Sequence, residues 1–410
     1  MINVSLRLAW RNLWRYKRRT WLTVGAMIFS NSLLVFSISL QFGSYDMMIN
    51  NTLQAFTGHI QIQHDGYQDD PKMRWVVPDV VGTADSLRAT LGSNEIAARG
   101  AGFALVSSED RSYGLQILGV EPGFEPNVST IPGLIKQGRY LNNDSYEEII
   151  IGSVLARNLK VSVGDEVTFL GSGRDDSFAA GVAKVVGIFE TGSADIDRSM
   201  VQVSLAYFQD SFAMKGSGHS IVLHADNIDD VPALQARVSA LIADNDKLVV
   251  LDWETLQPGL KQAIQADLTS AWFMYSVLIV LVAFSVLNTQ LMSVLERTRE
   301  FGTMMALGLK PSRLARLVMT ETVMMAGLGL SIGVLIGFII TAYLSVVGFS
   351  YPGMEEMAAR FNLPDRMYPS ISLLSLLLGP GIVAIGSLLA AIYPALRLYF
   401  LLPIEAMRAV

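Results

Sequence analysis

The sequence predicts a membrane-embedded helical protein with four transmembrane helices and a mixed α/β extracytoplasmic domain between the first and second. Three observations predict it. Four long stretches carry no Asp, Glu, Lys or Arg, the segment between the first two is strongly acidic, and that segment alternates short strand and helix patterns. Mean hydropathy is +0.38, with 51% hydrophobic and 17% charged residues. That is too apolar for an ordinary soluble chain and too charged to lie in lipid throughout.

The charge-free stretches are Thr20 to Tyr45, Leu268 to Leu295, Thr322 to Met354 and Met367 to Leu396, of 26, 28, 33 and 30 residues. Each exceeds the ~20 residues a helix needs to cross the hydrocarbon core. Charge beside the spans gives their direction. Residues 1–19 hold Arg7, Arg11, Arg15, Lys17, Arg18 and Arg19 and no acid, and residues 296–316 hold Arg297, Arg299, Lys310, Arg313 and Arg316. Residues 44–270 hold 16 basic and 30 acidic residues, a balance of 16 − 30 = −14. The short loop 355–366 sets Glu355, Glu356 and Asp365 against Arg360 and Arg366. Both termini and the 296–316 loop are expected in the cytoplasm, and 44–270 outside it. The chain has no cysteine, so the outer domain is expected to hold together by its core alone. The basic region is too long, and small residues at a cleavage site too few, for a cleavable signal peptide to be expected.

The expected organisation is a cytoplasmic amphipathic helix at 1–19, spans at 20–45, 268–295, 317–348 and 370–395, and an outer domain at 46–267. A cytoplasmic helix at 296–316 joins the second and third spans, a loop at 349–369 joins the third and fourth, and a tail covers 396–410. In the first helix Leu6, Trp10, Leu13 and Trp14 repeat at helical spacing, with Arg7, Arg11, Arg15 and Arg18 on another face. That suits the inner membrane surface. The first span carries Ser30, Asn31, Ser32, Ser37, Ser39 and Gln41. Polar groups in hydrocarbon need partners, so this helix should face protein or a cavity.

Within the outer domain, Gly58 to Gln63 alternates like a half-buried strand, and Ser220–His224, Val231–Ala243 and Leu248–Leu251 read as strand, helix, strand. These pieces predict one subdomain from 57–105 with 220–253, a β-rich insertion at 106–219, and a stalk helix at 254–270 running into the second span.

The run Leu295-Glu296-Arg297-Thr298-Arg299-Glu300-Phe301-Gly302, then Met304 to Ser312, reads as a short charged helix breaking at Gly308. Such a helix between two spans is either a docking element for a partner or a plain surface connector. Gly329, Gly333 and Gly337 permit close helix approach in the third span, and Gly379-Pro380-Gly381 should kink the fourth. No G-x-x-x-x-G-K-[ST] phosphate loop is present. His59/His64 and His219/His224 are each five apart, which puts the members of each pair on opposite faces of a strand. Asp175, Asp176, Asp195 and Asp197 read as solvated loop acids. No catalytic or metal site is expected.

The run from Glu296 to Lys310 resembles the signature of the FtsX-like permease superfamily, in which Glu-Arg-x-Arg-Glu-Ile/Phe-Gly precedes an Ala-Leu-Gly step. Tyr393-Pro394-Ala395-Leu396-Arg397 and Pro403-Ile404-Glu405-Ala406-Met407-Arg408 resemble that family's terminal motif. So do Gly138-Arg139-Tyr140-Leu141, Ile151 to Ala156, Val163-Gly164-Asp165 and Val186-Gly187-Ile188 in the outer segment. Length and Gly58-His59-Ile60 after a polar first span are most similar to the lipoprotein-releasing (LolC/LolE-like) permeases.

The resemblance implies a permease of a bacterial inner-membrane ABC transporter, working as a pair with a second permease, identical or homologous, on two copies of a separate ATPase. No cofactor is implied on this chain, since ATP and Mg would be bound by that ATPase, and no nucleic acid is involved. The 296–310 helix would be the coupling helix, with Glu296, Arg299, Glu300, Phe301, Met305, Leu309 and Lys310 at the ATPase. The first two spans would enclose a lipoprotein or lipid-like substrate destined for a periplasmic carrier. Phe36, Leu40, Met47, Met48, Trp272, Phe273 and Tyr275 are the candidate wall, or they simply pack the two helices. Mechanotransmission that drives efflux of peptides or drugs, and regulation of a cell-wall hydrolase without transport, are the alternatives.

Overall fold

The computed structural model describes residues 2–15, 17–225, 227–243, 245–354 and 366–400. The acidic loop 355–365 and the terminal motif at Pro403–Arg408 lie outside the described residues. In chain order, α1 (Ile2–Arg15) and α2 (Lys17–Thr52) lead into a π-helical turn, Leu53–Thr57, and β1 (Ile60–His64). Then follow α3 (Val80–Leu91), β2 (Ile96–Ser107), β3 (Ser112–Val120), β4 (Ile135–Gly138), β5 (Glu148–Gly152) and α4 (Ser153–Leu159). Next come β6 (Glu166–Ser172), β7 (Phe178–Phe189), α5 (Ile196–Ser199), β8 (Met200–Ser204), α6 (Leu205–Ser211) and β9 (Ser220–Leu223). The chain closes with α7 (Val231–Leu241), β10 (Leu248–Asp252), α8 (Trp253–Leu256), α9 (Pro258–Glu296), α10 (Thr298–Ala306), α11 (Pro311–Val347) and α12 (Leu373–Arg397). Two compact units result: Met1–Asp46, Ala263–Ser350 and Arg366–Val410 make one, Met47–Gln262 with Tyr351–Asp365 the other.

In the first unit α2, α9, α11 and α12 are each long and apolar enough to cross a membrane. Half of the most apolar window of α2 is buried, against 17–28% for the other three, so the polar first span is the central helix. Met27, Leu34 and Ile38 of α2 meet Tyr275, Val282 and Val286 of α9, Ala326 of α11 and Val383 of α12. The glycine row of α11 faces α2. A Cβ on Gly333 would sit 2.6 Å from the Asn31 Cβ and one on Gly337 2.8 Å from the Val35 Cβ, and Ser32 Oγ donates to the Gly333 carbonyl at 2.9 Å. The row is therefore used inside one chain. α12 runs unbroken through Pro380.

Only part of the apolar face of α1 is used for packing within the chain. Its buried residues are Ala9 and Leu13, while Trp10 and Trp14 are exposed and stack edge-to-face at 5.7 Å. Leu13 packs with Val24 and Met325, so small and branched side chains seat α1 and the tryptophans stay on the surface. The expected stalk 254–270 is divided. α8 is capped by Asp252, whose side chain accepts from Thr255 N, and Gln257 leaves the helix. Pro258 then starts α9, because its fixed φ and missing N–H suit a first turn.

In the outer unit β1 lies between β10 and β9, antiparallel to both. Beyond them the pairings close on themselves: β2 with β3, β3 with β8, β8 with β5, β5 with β7, β7 with β6, and β6 back to β2. The ring of six strands is filled by Val106, Leu115, Ile117, Ile149, Phe169, Val201 and their neighbours, as a small barrel must be. Gly100 faces Gly119 across β2 and β3. A Cβ on either would strike the Phe208 ring, at 2.5 and 2.4 Å, so the missing side chains make room for that phenyl group. The expected boundary at 105/106 falls inside β2. Ile96–Arg99 of that strand pair with β9, and Ala104–Ser107 pair with β6. One twelve-residue strand serves both cores, which short-range patterning does not reveal.

Candidate functional site

The charged motif forms α10, and its face is set by burial. Phe301 is fully buried among Val294, Leu314, Val318 and Leu398, with Met304 and Met305 packed against that cluster. The expectation that Phe301 meets a partner is therefore corrected. As the one aromatic ring of a two-turn helix it is the anchor that seats α10 on its own chain, and Met305 is half-buried beside it. Glu296 closes α9, where its Oε2 accepts from Arg19 Nη1 at 2.7 Å. Glu300 pairs with Arg15 at 2.9 Å. Arg299, Leu309 and Lys310 are exposed, as is Leu307 at 79%. The outward surface of α10 and the turn after it includes Arg299, Thr303, Leu307, Leu309 and Lys310.

Beneath α10 lies a feature that the sequence reading missed. Arg297, the residue before the helix, donates from Nη1 to both oxygens of Glu321 on α11, at 2.9 and 3.3 Å. Both side chains are about 95% buried, with relative exposures of 4% and 5%. Asn12 Nδ2 of α1 donates to Glu321 Oε1 at 2.7 Å. The available signal was Glu321 itself, the lone acid of α11 at the edge of its charge-free stretch, because a charge at such a place needs a partner.

At the other end of α2 the Tyr275 hydroxyl donates to Gln41 Oε1 at 2.9 Å. The Tyr45 hydroxyl donates to Asp267 Oδ2 at 2.6 Å, and Gln41 Nε2 donates to the Tyr45 oxygen at 2.7 Å. Of the candidate wall, Tyr275 is buried in the helix core, which takes it out of an open wall, and Phe36 is half-buried with its ring edge-to-face on Phe349 at 5.7 Å. Leu40 is half-buried, while Trp272 and Phe273 are exposed at 40% and 74%. Met47 and Met48 belong to the outer unit. Exposed apolar side chains continue at helical spacing from Phe273 through Val277, Leu281 and Phe284 on α9, and at Leu22, Phe29 and Leu33 on α2.

No group of three or more potential metal ligands occurs among the described residues. His59 lies against His224 rather than His64, with ring centroids 4.5 Å apart. Its Nδ1 accepts from the Ala225 amide, so the ring carries its proton on Nε2 and donates to Asn50 Oδ1 at 3.2 Å. Burial and the His224 ring push His59 down to about 4.

Two family models match the chain. One, the MacB-like periplasmic core domain, covers residues 20–241, and the other, the FtsX-like permease C-terminal, covers residues 272–403. The chain is an ABC transporter permease of the FtsX/MacB/LolC family. The permease is 28% identical over 324 residues to the lipoprotein-releasing system transmembrane protein LolC of Xylella fastidiosa (strain Temecula1), covering 74% of this chain and 75% of that one. It is 22% identical to LolE of Haemophilus influenzae, over 74% of each chain. It is 24% identical to the macrolide export ATP-binding/permease protein MacB of Campylobacter jejuni (strain 81-176), over 84% of this chain and 54% of that protein. Among solved structures, the periplasmic region of MacB from Actinobacillus actinomycetemcomitans aligns with 51% of the permease and 94% of that domain, at 13% identity and a TM-score of 0.37. The permease thus carries four candidate membrane helices and a periplasmic-type α/β domain in its N-terminal part.

Proposed function

We propose that this permease extracts lipid-modified proteins from the bacterial inner membrane toward the outer membrane, driven by a separate ATPase. The observation that carries the reading is the likeness to LolC, at 28% identity over three quarters of both chains. The spans suit such a cargo. The apolar faces at Phe273, Val277, Leu281 and Phe284 on α9 and at Phe29 and Leu33 on α2 can hold acyl chains. The Gln41–Tyr45–Asp267–Tyr275 cluster offers polar groups at one end of the same helices. In this reading the termini and α10 are cytoplasmic, by the basic residues beside them, and the outer unit is periplasmic. Two ATPase copies engage the outward surface of α10 on this chain and on a second permease, and a periplasmic carrier receives the cargo.

Photo-crosslinking residues at Leu33, Leu40 and Phe273 should capture lipid-modified proteins in cells, and at Leu307 and Leu309 should capture the ATPase. Crosslinks at the first three sites that reach only permease helices would sink the lipoprotein reading. They would favour mechanotransmission, which the 222-residue match to the MacB-like core supports.

A further inference from the structure

We propose that Glu321 is a positioning residue that fixes α10 to α11 through Arg297, so that movement imposed on α10 is delivered to that span. The proposal rests on the reading of α10 as the surface that meets the ATPase, and it names the part that carries the motion inward.

Arg297 stands at the N-cap of α10. Its guanidinium lies 4.9 Å from the centre of the Phe301 ring that anchors the helix and bonds both Glu321 oxygens. Glu321 in turn holds Asn12 of α1. One buried network therefore joins the N-cap of α10, its anchor, a span and the basic N-terminal helix. Stability alone does not account for it, because a well-packed apolar pair is commonly as stable as a buried ion pair. What the charged pair adds is a directional tie, with the one nitrogen Nη1 held between both carboxylate oxygens and Asn12 on the same carboxylate, which an apolar contact between the two helices would lack.

A second observation bears on motion. Beside the pair is a cavity of about 20 Å³, lined also by Gln290 and Ser293 of α9. Gln290 is 1% exposed, and its Oε1 has no hydrogen-bond partner. The cavity has room for one water. It presents an open acceptor that Arg297 can take up if α10 shifts, which is what a joint with two discrete seats requires.

The test uses the permease assembled with its ATPase in lipid nanodiscs, with vanadate-trapped ADP as the probe. The chain has no cysteine, so a spin label can be placed at Leu307 on the α10 side or at Val346 at the far end of α11, exposed at 79% and 81%. In the parent protein, trapping should change the spectrum at Val346. Glu321→Gln, and Arg297→Met combined with Glu321→Met, should each reduce that change about fivefold or more with ATPase binding unaltered; thermal stability should fall in Glu321→Gln, which strands the buried guanidinium, and stay near the parent's in the paired Met variant. If the paired Met variant keeps the full change at Val346, the pair is structural and the proposal is overturned. The Leu307 label separates the underlying reading: if ATPase binding does not immobilise it, α10 is not the docking surface and the proposal falls with that reading.

Discussion

The Tyr45 hydroxyl donates to the Asp267 carboxylate at 2.6 Å, tying α2 to α9 with Gln41 as third member. Asp267 is exposed while Tyr45 is nearly buried, so the bond should be worth about 1 kcal/mol. Tyr45→Phe should lower stability in detergent by that amount, and Asp267→Asn by less. A double-mutant cycle read by thermal unfolding should return a coupling close to the single Tyr45→Phe loss. Strict additivity would mean that the two residues do not hold the helices together.

In the outer unit Arg99 makes a two-bond contact with Glu125, at 2.6 and 3.0 Å, and also bonds the Phe56 carbonyl of the π-helical turn. Arg99 is 2% exposed and Glu125 0%. Arg99→Met strands a buried carboxylate and should cost roughly 3–5 kcal/mol. Adding Glu125→Met should recover most of that global loss. Hydrogen exchange over 53–57 should stay fast in both variants, because the bond to the Phe56 carbonyl is gone in each.

His59 and His219 are buried and both are pushed down to about 4, chiefly by desolvation. The unfolded chain binds protons near pH 6.5 that the folded one refuses. Their contribution is therefore complete above about pH 6.5, falls as pH drops toward 4, and changes no further below that. The loss should approach ~3 kcal/mol per residue. Urea unfolding of the outer unit at pH 7.0, 5.5 and 4.5 should show stability falling steadily, and His219→Phe should flatten the curve. An unchanged slope in that variant would count against His219 as a source.

Gly333 and Gly327 lie on the same helix in opposite settings. A methyl group on Gly333 meets the Asn31 Cβ at 2.6 Å and the Ile28 carbonyl at 3.0 Å, whereas one on Gly327 meets nothing within 4 Å. Gly333→Ala should cost ~1–3 kcal/mol by prising α2 from α11, and Gly327→Ala should stabilise by roughly 0.5–1 kcal/mol through helix propensity. Thermal melts of the two variants in the same detergent check both signs.

How much of this was legible in the sequence follows the range of each interaction. The spans could be read from local composition, because the absence of charge over 26 to 33 residues has few other causes. The central place of α2 could be read from Asn31, Ser32 and Ser39, which need protein around them. The ring of strands could not: β3 finds β8, and β5 finds β7, in parallel pairings across intervening elements. Local periodicity says which side of a strand is buried but not which strand lies next to it. Phe301 resembles its exposed motif neighbours in sequence, and only the cluster of Val294, Leu314, Val318 and Leu398 around it decides its side. Arg297 and Glu321 are 24 residues apart on two helices, and one looks like a loop charge until the other is beside it.

β1 and β10 are direct neighbours, with Ile60 opposite Asp252. The 193 residues from the one to the other therefore start and finish about 5 Å apart, one strand spacing. Everything between them hangs from a single doorway. A segment inserted through so narrow an opening can be enlarged, pruned or replaced over evolutionary time without rethreading the helices that flank it. The outer unit and the membrane helices can thus be inherited separately, and a graft at residues 60 and 252 is where an engineer would exchange one outer unit for another.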